Sequence, residues 1–457
     1  MNVNLWSSNT PARFWLLEPG ENGQPIVSPD DWLQAVARSV HVLELPQLPD
    51  TIEPGSYDLD AILLQTLGEG QFGPERWRLG ATRRAYYTLK PFLPRAVTRM
   101  LRRLTSRPMQ DKSQLGWPIE DRYARFLWEV AKQILVATGK NSLSFRNFWP
   151  HGRAYALVLT HDVETAEGQS YVRAVADLEE RHGFRSSFNF VPERYTVDEA
   201  LLAELRQRGF EVGVHGLKHD GKLFRSHAEW SRRVARINDY LHRFEARGFR
   251  TPLTHRQPEW MQDLEIDYDL SFFDTDPYEP MPGGAMSLWP FQVGHFLELP
   301  YTLAQDYTLT SVLGEETPRL WLQKLEVIRN YHGMALLNSH PDYLREERTR
   351  AVYVDFLQTV KEKSGYWHAL PAEVAAGWRE RGKSRPTLPA GRQGLERSES
   401  QGFELETEAT LPGVASPGIE RGEIRLRAGV LVVAPLAGPK VEADMQPVLG
   451  REVPVRP

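Results

Sequence analysis

Residues 155–164 read YALVLTHDVE. The first six, Tyr155–Thr160, are a short apolar run of strand length, and the run ends in a cluster of polar side chains. Helix-like and strand-like segments then alternate. Tyr171–Arg181 reads as helix closed by Gly183, and Ser187–Val191 as strand. Asp198 caps a further helix that stops at Gly209. Glu211–Val214 is a strand ending at His215, and helix returns over 228–246, closed by Gly248. Arg319–Asn330 is helix with Gly333 after it, and Met334–Asn338 is the last strong strand. This β/α alternation predicts an α/β fold, either a barrel or an open parallel sheet. The polar clusters fall just after strands, where such folds place their chemistry.

The rest of the 457-residue chain flanks this region on both sides. Residues 1–150 read as an N-terminal mixed region, partly helical, with Ser39–Pro46 as a candidate strand. Ile119, Tyr123, Phe126, Leu127, Val130, Ile134 and Leu135 recur at helical spacing, and Gly139 is a natural stop. Residues 83–107 are strongly basic, and Leu101 and Leu104 could face a core or a membrane surface; a solvated helix edge is the plainer reading. Residues 151–378 form the β/α region, 379–402 read as a Gly- and Pro-containing linker, and 403–457 as a small β appendage with a loose tail.

Composition narrows the function. Apolar residues make up 41 % and charged residues 25 %, which excludes a disordered or collagenous chain. Lysine plus arginine is 55 against 60 aspartate plus glutamate, a net charge of -5, so no nucleic-acid partner is expected. There is no cysteine. That removes thiolate nucleophiles and zinc–cysteine sites, and any metal must be held by His, Asp or Glu. No apolar stretch reaches membrane-spanning length and the N-terminus lacks a signal-peptide pattern, so a soluble cytoplasmic protein is expected.

The polar residues form a series. In extended chain Asp162 and Glu164 point the same way, so their carboxylates can share a site; the alternative is a surface turn. His215 and His219, four apart, fall on one face if they lie on a helical turn, and imidazole suits zinc and other divalent ions. Asp220 could hold a ligand's second ring nitrogen or simply cap, and Lys222 could fix an anion or be solvated. Arg256 follows a strand-into-loop segment, GFRTPLTHRQP, and could clamp a carboxylate. Trp260 could wall a sugar pocket or pack in the core. Asp274 and Asp276 sit among aromatics in a loop. His340, in Leu336-Leu337-Asn338-Ser339-His340-Pro341, ends a strand and could act as a general acid. His161 is a neighbour for substrate or for the ligands.

The order Asp, His-x3-His, Arg-x-Pro, then His-Pro after Leu-Leu resembles the polysaccharide deacetylase superfamily, the NodB-homology or carbohydrate esterase family 4 enzymes, over about 150–375. The resemblance implies a distorted (β/α) barrel with a divalent metal, zinc by preference, at the strand C-terminal ends, and hydrolysis of N-acetyl groups or related amides on sugars. It makes Asp162 the base, His215 and His219 metal ligands, Arg256 the residue that orients Asp162, and His340 the general acid, with Asp274 or Asp276 as its orienting partner. The family's metal carboxylate usually comes directly after the base aspartate, where this chain has Val163. The Asp-x-Asp arrangement of some relatives moves that role to Glu164. The stretches GLKHDGKLF, DTDPYEP and LLNSHPDYL look like a bacterial branch apart from the chitin and peptidoglycan enzymes.

The expected partner is a carbohydrate or amide small molecule. For a cytoplasmic enzyme this means a nucleotide- or lipid-linked sugar precursor, with residues 83–107 against the inner membrane face as a weak peripheral contact. Two other readings remain: hydrolysis of another C–N amide bond on a non-sugar substrate, and a catalytically inert carbohydrate-binding or scaffold protein.

Overall fold

The computed structural model describes residues 4–20, 22–48, 59–80, 109–281, 283–383, 421–427 and 430–435. The basic stretch 83–107 and most of 384–457 lie outside the described residues.

Helix α1 (Pro29–Ser39) begins at a reciprocal cap in which Ser28 and Asp31 each accept the other's backbone N–H. It runs into a 3₁₀ turn, Val40–Leu43, where a strand was expected over Ser39–Pro46. The difference has a simple cause: Val36, Val40 and Leu43 recur at helical spacing, and all three are buried. Helix α2 (Arg122–Thr138) packs against α1 and buries Tyr123, Phe126, Leu127, Val130, Ile134 and Leu135. Ile119 precedes the helix and stays exposed. Gly139 ends α2 at φ 62°. Strand β1 (Ser142–Arg146) pairs antiparallel with β11 (Arg421–Arg427), which pairs with β12 (Val430–Pro435).

The central sheet holds β2 (Tyr155–Val163), β3 (Ser187–Phe190), β4 (Glu211–His215), β5 (Gly248–Arg250), β6 (Tyr268–Asp269), β7 (Phe291–Val293), β8 (Phe296–Glu298), β9 (Met334–Ser339) and β10 (Tyr366–His368). Every residue of β2 is buried, as a strand covered on both faces requires. Strands β9, β2, β3, β4, β5, β6 and β8 are parallel neighbours in that order. Strand β10 pairs with the first part of the β2 edge that β3 uses further along. Two single bridges, Phe273–Tyr301 and Leu303–Leu337, carry the curl from β8 back to β9. The result is a distorted (β/α) barrel.

Helices α3 (Ala166–His182), α4 (Glu199–Gln207), α5 (His227–Arg243), α6 (Arg319–Asn330) and α7 (Glu347–Lys361) cover the sheet. Asp198 caps α4 by accepting the N–H groups of Ala200 and Leu201. Helix α8 (Pro371–Lys383) extends into the first residues of the expected linker.

Glu211, at the start of β4, supplies a stability prediction. One oxygen accepts the Ala372 N–H at 3.0 Å, and the other is buried without a hydrogen bond. Burial, reinforced by Glu373, pushes this carboxyl from 4.5 up to about 8. Below the unfolded value both states hold the proton. Through the window up to about 8 the unfolded chain releases it first, so stability falls as pH rises. Glu211→Gln should therefore melt a few degrees above the parent near pH 8 and level with it near pH 4. Equal melting at both pH values would refute the assignment.

Candidate metal centre

The C-terminal ends of β2, β4, β5 and β9 meet at one mouth of the barrel, around a cavity of about 320 Å³. Asp162 lies in β2 and Glu164 directly follows it. Strand alternation brings both carboxylates toward His215 at the end of β4. Its Nε2 lies 3.8 Å from Asp162 Oδ2 and 3.9 Å from Glu164 Oε1. His219 Nε2 is 3.0 Å from the same Glu164 oxygen.

The His215–His219 segment is not helical. The chain leaves β4 through Gly216 at φ 61° and brings His219 round at φ 51°. A Cβ at position 216 would stand 2.3 Å from the Pro252 ring, so the turn needs glycine both for its φ and for the close approach. The ligand atoms of Glu164, His215 and His219 lie within 4.8 Å of one another. The Nε2 atoms of both imidazoles are buried and face Glu164 Oε1 without a well-aligned hydrogen bond. Buried polar atoms are normally satisfied, so an orphaned pair facing one carboxylate fits a divalent cation. His215 Nδ1 lies 3.2 Å from the Arg250 carbonyl, which directs Nε2 into the cavity.

The electrostatics prepare these donors. Burial pushes His219 toward its neutral, ligating form, against the pull of Glu164. Burial opposes ionisation of Glu164, but His219, His215 and His340 together hold it well below the usual carboxylate range.

Asp162 is gripped from three sides. Arg250 Nη1 donates to Oδ1 at 3.0 Å, Asn189 Nδ2 to Oδ1 at 3.2 Å and Asn338 Nδ2 to Oδ2 at 2.9 Å. Burial works against its charge, yet Arg250, His215 and His340 hold its carboxyl far below the ordinary value. His340, directly after β9, is clamped by Asp306. The His340 backbone N–H donates to Oδ2 at 2.9 Å, and Nδ1 pairs with Oδ1 at 2.8 Å. Burial disfavours the imidazolium, but Asp306 and the two site carboxylates raise it to about 10. His340 Nε2 then lies 3.8 Å from Glu164 Oε1.

Several expected roles move. Arg256 does not touch Asp162; it is fully buried in a two-oxygen ion pair with Glu69, and Arg250 takes the orienting place. Arg250 ends β5 itself, whereas Arg256 lies six residues on, past a turn. Neither Asp274 nor Asp276 orients His340. Asp274 is buried against Lys324 at 2.6 Å, and Asp276 accepts the Tyr278 backbone N–H. Asp220 pairs with Arg233 at 2.8 and 2.9 Å, so it anchors the loop and holds no ligand nitrogen. Lys222 is exposed, and Trp260 packs on Phe224 and His227 outside the cavity lining. His161 is fully buried behind the site, 2.7 Å from Glu179 and 2.8 Å from Ser339. Asn189 and Asp306 gave no sequence signal. Asn338 and Arg250 lay inside stretches read for other residues.

No family model matches the chain, and no curated protein matches it. Solved structures do. A protein from Mycobacterium smegmatis assigned as a polysaccharide deacetylase is 18% identical, with TM-score 0.43, over 54% of this chain and 97% of its own. Puue allantoinase is 14% identical, with TM-score 0.43, over 51% of this chain and 92% of its own. A protein from Pseudomonas aeruginosa PAO1, also assigned as a polysaccharide deacetylase, is 15% identical, with TM-score 0.42, over 51% and 93%. The chain is similar in fold to these proteins.

Proposed function

We propose that this chain is a metal-dependent hydrolase that removes N-acetyl groups from a sugar or glycan precursor. The observation that carries this reading is the convergence of Glu164, His215 and His219, with Asp162 and His340 on the same cavity. Glu164, His215 and His219 would hold the divalent cation, zinc by preference. Such a cation supplies a Lewis acid for an amide carbonyl and its developing oxyanion.

The protein's own groups do the rest. Asp162 is anionic, fixed by Arg250, Asn189 and Asn338, and able to take a proton from an attacking water. His340 is protonated at neutral pH, and its Nδ1 contact with Asp306 leaves Nε2 toward the cavity, able to protonate a leaving amine. One group is pushed down and the other up, which is how one site keeps a base and an acid together at neutral pH. Tyr307 and Tyr343, with ring centroids 5.2 Å apart, line the cavity and offer a platform for a sugar face.

Release of acetate from N-acetylglucosamine-bearing precursors, with and without added zinc, tests the reading. Asp162→Asn should lower kcat by about 10²–10⁴ while leaving bound metal at parental stoichiometry. His340→Gln should do the same. Parental turnover in either variant would refute its role. Absence of acetate from every N-acetylated sugar tried would refute the substrate class.

A further inference from the structure

A second cavity, of about 350 Å³, lies at the opposite end of the barrel. Ser287 and Trp289 line it, and the Leu288 carbonyl between them accepts the N–H of Met334, the first residue of β9. His340 stands beyond the far end of that strand, about 20 Å away at ~3.3 Å per residue.

Among the described residues the lining contains Arg13, Arg379 and Arg381 and no aspartate or glutamate. Arg381 is only 3% exposed. Its Nε and Nη2 donate to the carbonyls of Phe14, Arg146 and Asn147 at 2.7–3.2 Å, and its guanidinium lies over Phe148 and Trp378. Among the described residues Nη1 donates to nothing, and no carboxylate pairs with this buried charge. Arg379 shares one carboxylate, Asp267, with Arg247, at 3.2 and 3.3 Å. Arg13 is exposed and has no ion pair among the described residues. A buried cation without a counterion carries a large desolvation penalty, which an anion from solution would relieve. Phe14, Trp289 and Trp378 add flat apolar walls, and the volume falls in the range of small-molecule pockets.

We propose that this cavity binds a small organic anion, a phosphate or carboxylate carried on a flat aromatic ring. The oxyanion meets the Arg381 edge together with Arg13 and Arg379, in the geometry that guanidinium forks favour. The ring lies against the partly exposed Trp378 and Phe14, since Trp289 is buried beneath Phe14. The site is separate from the metal centre, so the proposal stands whether or not the hydrolase reading does.

Calorimetric titration of the full chain with adenosine 5′-monophosphate, benzoate, inorganic phosphate and adenosine tests it. Adenosine monophosphate and benzoate should bind and raise the melting temperature, and phosphate and adenosine should bind at least about tenfold more weakly. Arg381→Lys keeps the charge but loses the fork, and it carries a folding risk. Arg13→Glu is on the surface and keeps the melting temperature of the free protein; it should weaken adenosine monophosphate at least about tenfold. Binding should persist in His215→Ala with chelator present. Loss of binding in His215→Ala, with Arg13→Glu at parental affinity, would place the ligand at the metal centre and overturn the proposal. So would no binding by adenosine monophosphate or benzoate. Phosphate binding as tightly as either would overturn the ring requirement.

Discussion

Arg256→Ala is expected to destabilise the protein by about 3–5 kcal/mol, the range for breaking a buried ion pair from one side. Arg256 is 1% exposed and Glu69 2%. Their contacts run from 2.5 to 2.8 Å, and Arg256 Nη1 also donates to the Thr254 carbonyl. The guanidinium lies over the rings of Phe272 and Phe273 at 4.8 and 4.7 Å. Removing it strands the Glu69 carboxylate in this apolar setting, where among the described residues the Gly284 N–H is the one remaining donor to it. The pair joins the N-terminal region to the barrel, so the loss should appear as a lower denaturant midpoint for the whole chain. Arg256→Ala with Glu69→Leu should recover part of the loss, because the orphaned charge goes with its partner. A single variant within about 1 kcal/mol of the parent would refute this account. Metal affinity measured on the folded fraction should stay parental, since Arg250 and not Arg256 contacts Asp162.

His215→Ala should weaken divalent-ion affinity by more than about 100-fold, which exceeds the effect of losing an outer-shell partner. The metal-free variant should melt a few degrees below the metal-free parent. It loses the Nδ1 contact with the Arg250 carbonyl and the packing of a buried ring. The parent should gain about 2.7 kcal/mol of stability at a zinc concentration 100-fold above its Kd, and the variant should gain almost none. Chelator should reverse the parent's gain. One equivalent of zinc held at parental affinity by His215→Ala would remove His215 from the ligand set. Glu164→Gln provides the companion measurement, because Glu164 Oε1 faces both imidazoles.

Local pattern alone determined a great deal. The buried run Tyr155–Thr160, the Asp198 cap and the glycines after α3 and α4 were legible because strand burial, capping and positive φ are properties of a few adjacent residues. Asp162, Glu164, His215, His219 and His340 were legible as a group because parallel strands bring their C-terminal ends together, so residues just after strands become neighbours. Partnership was not legible. The orienting role expected of Arg256 is filled by Arg250, six positions earlier, because Arg256 found Glu69 at a sequence distance of 187 residues. Asp306 supplanted Asp274 and Asp276 as the partner of His340 from a loop 34 residues away. Sequence fixes which charges lie near a strand end. Only the packed chain decides which opposite charge shares the buried space, since a buried ion's energy depends on its nearest partner in three dimensions.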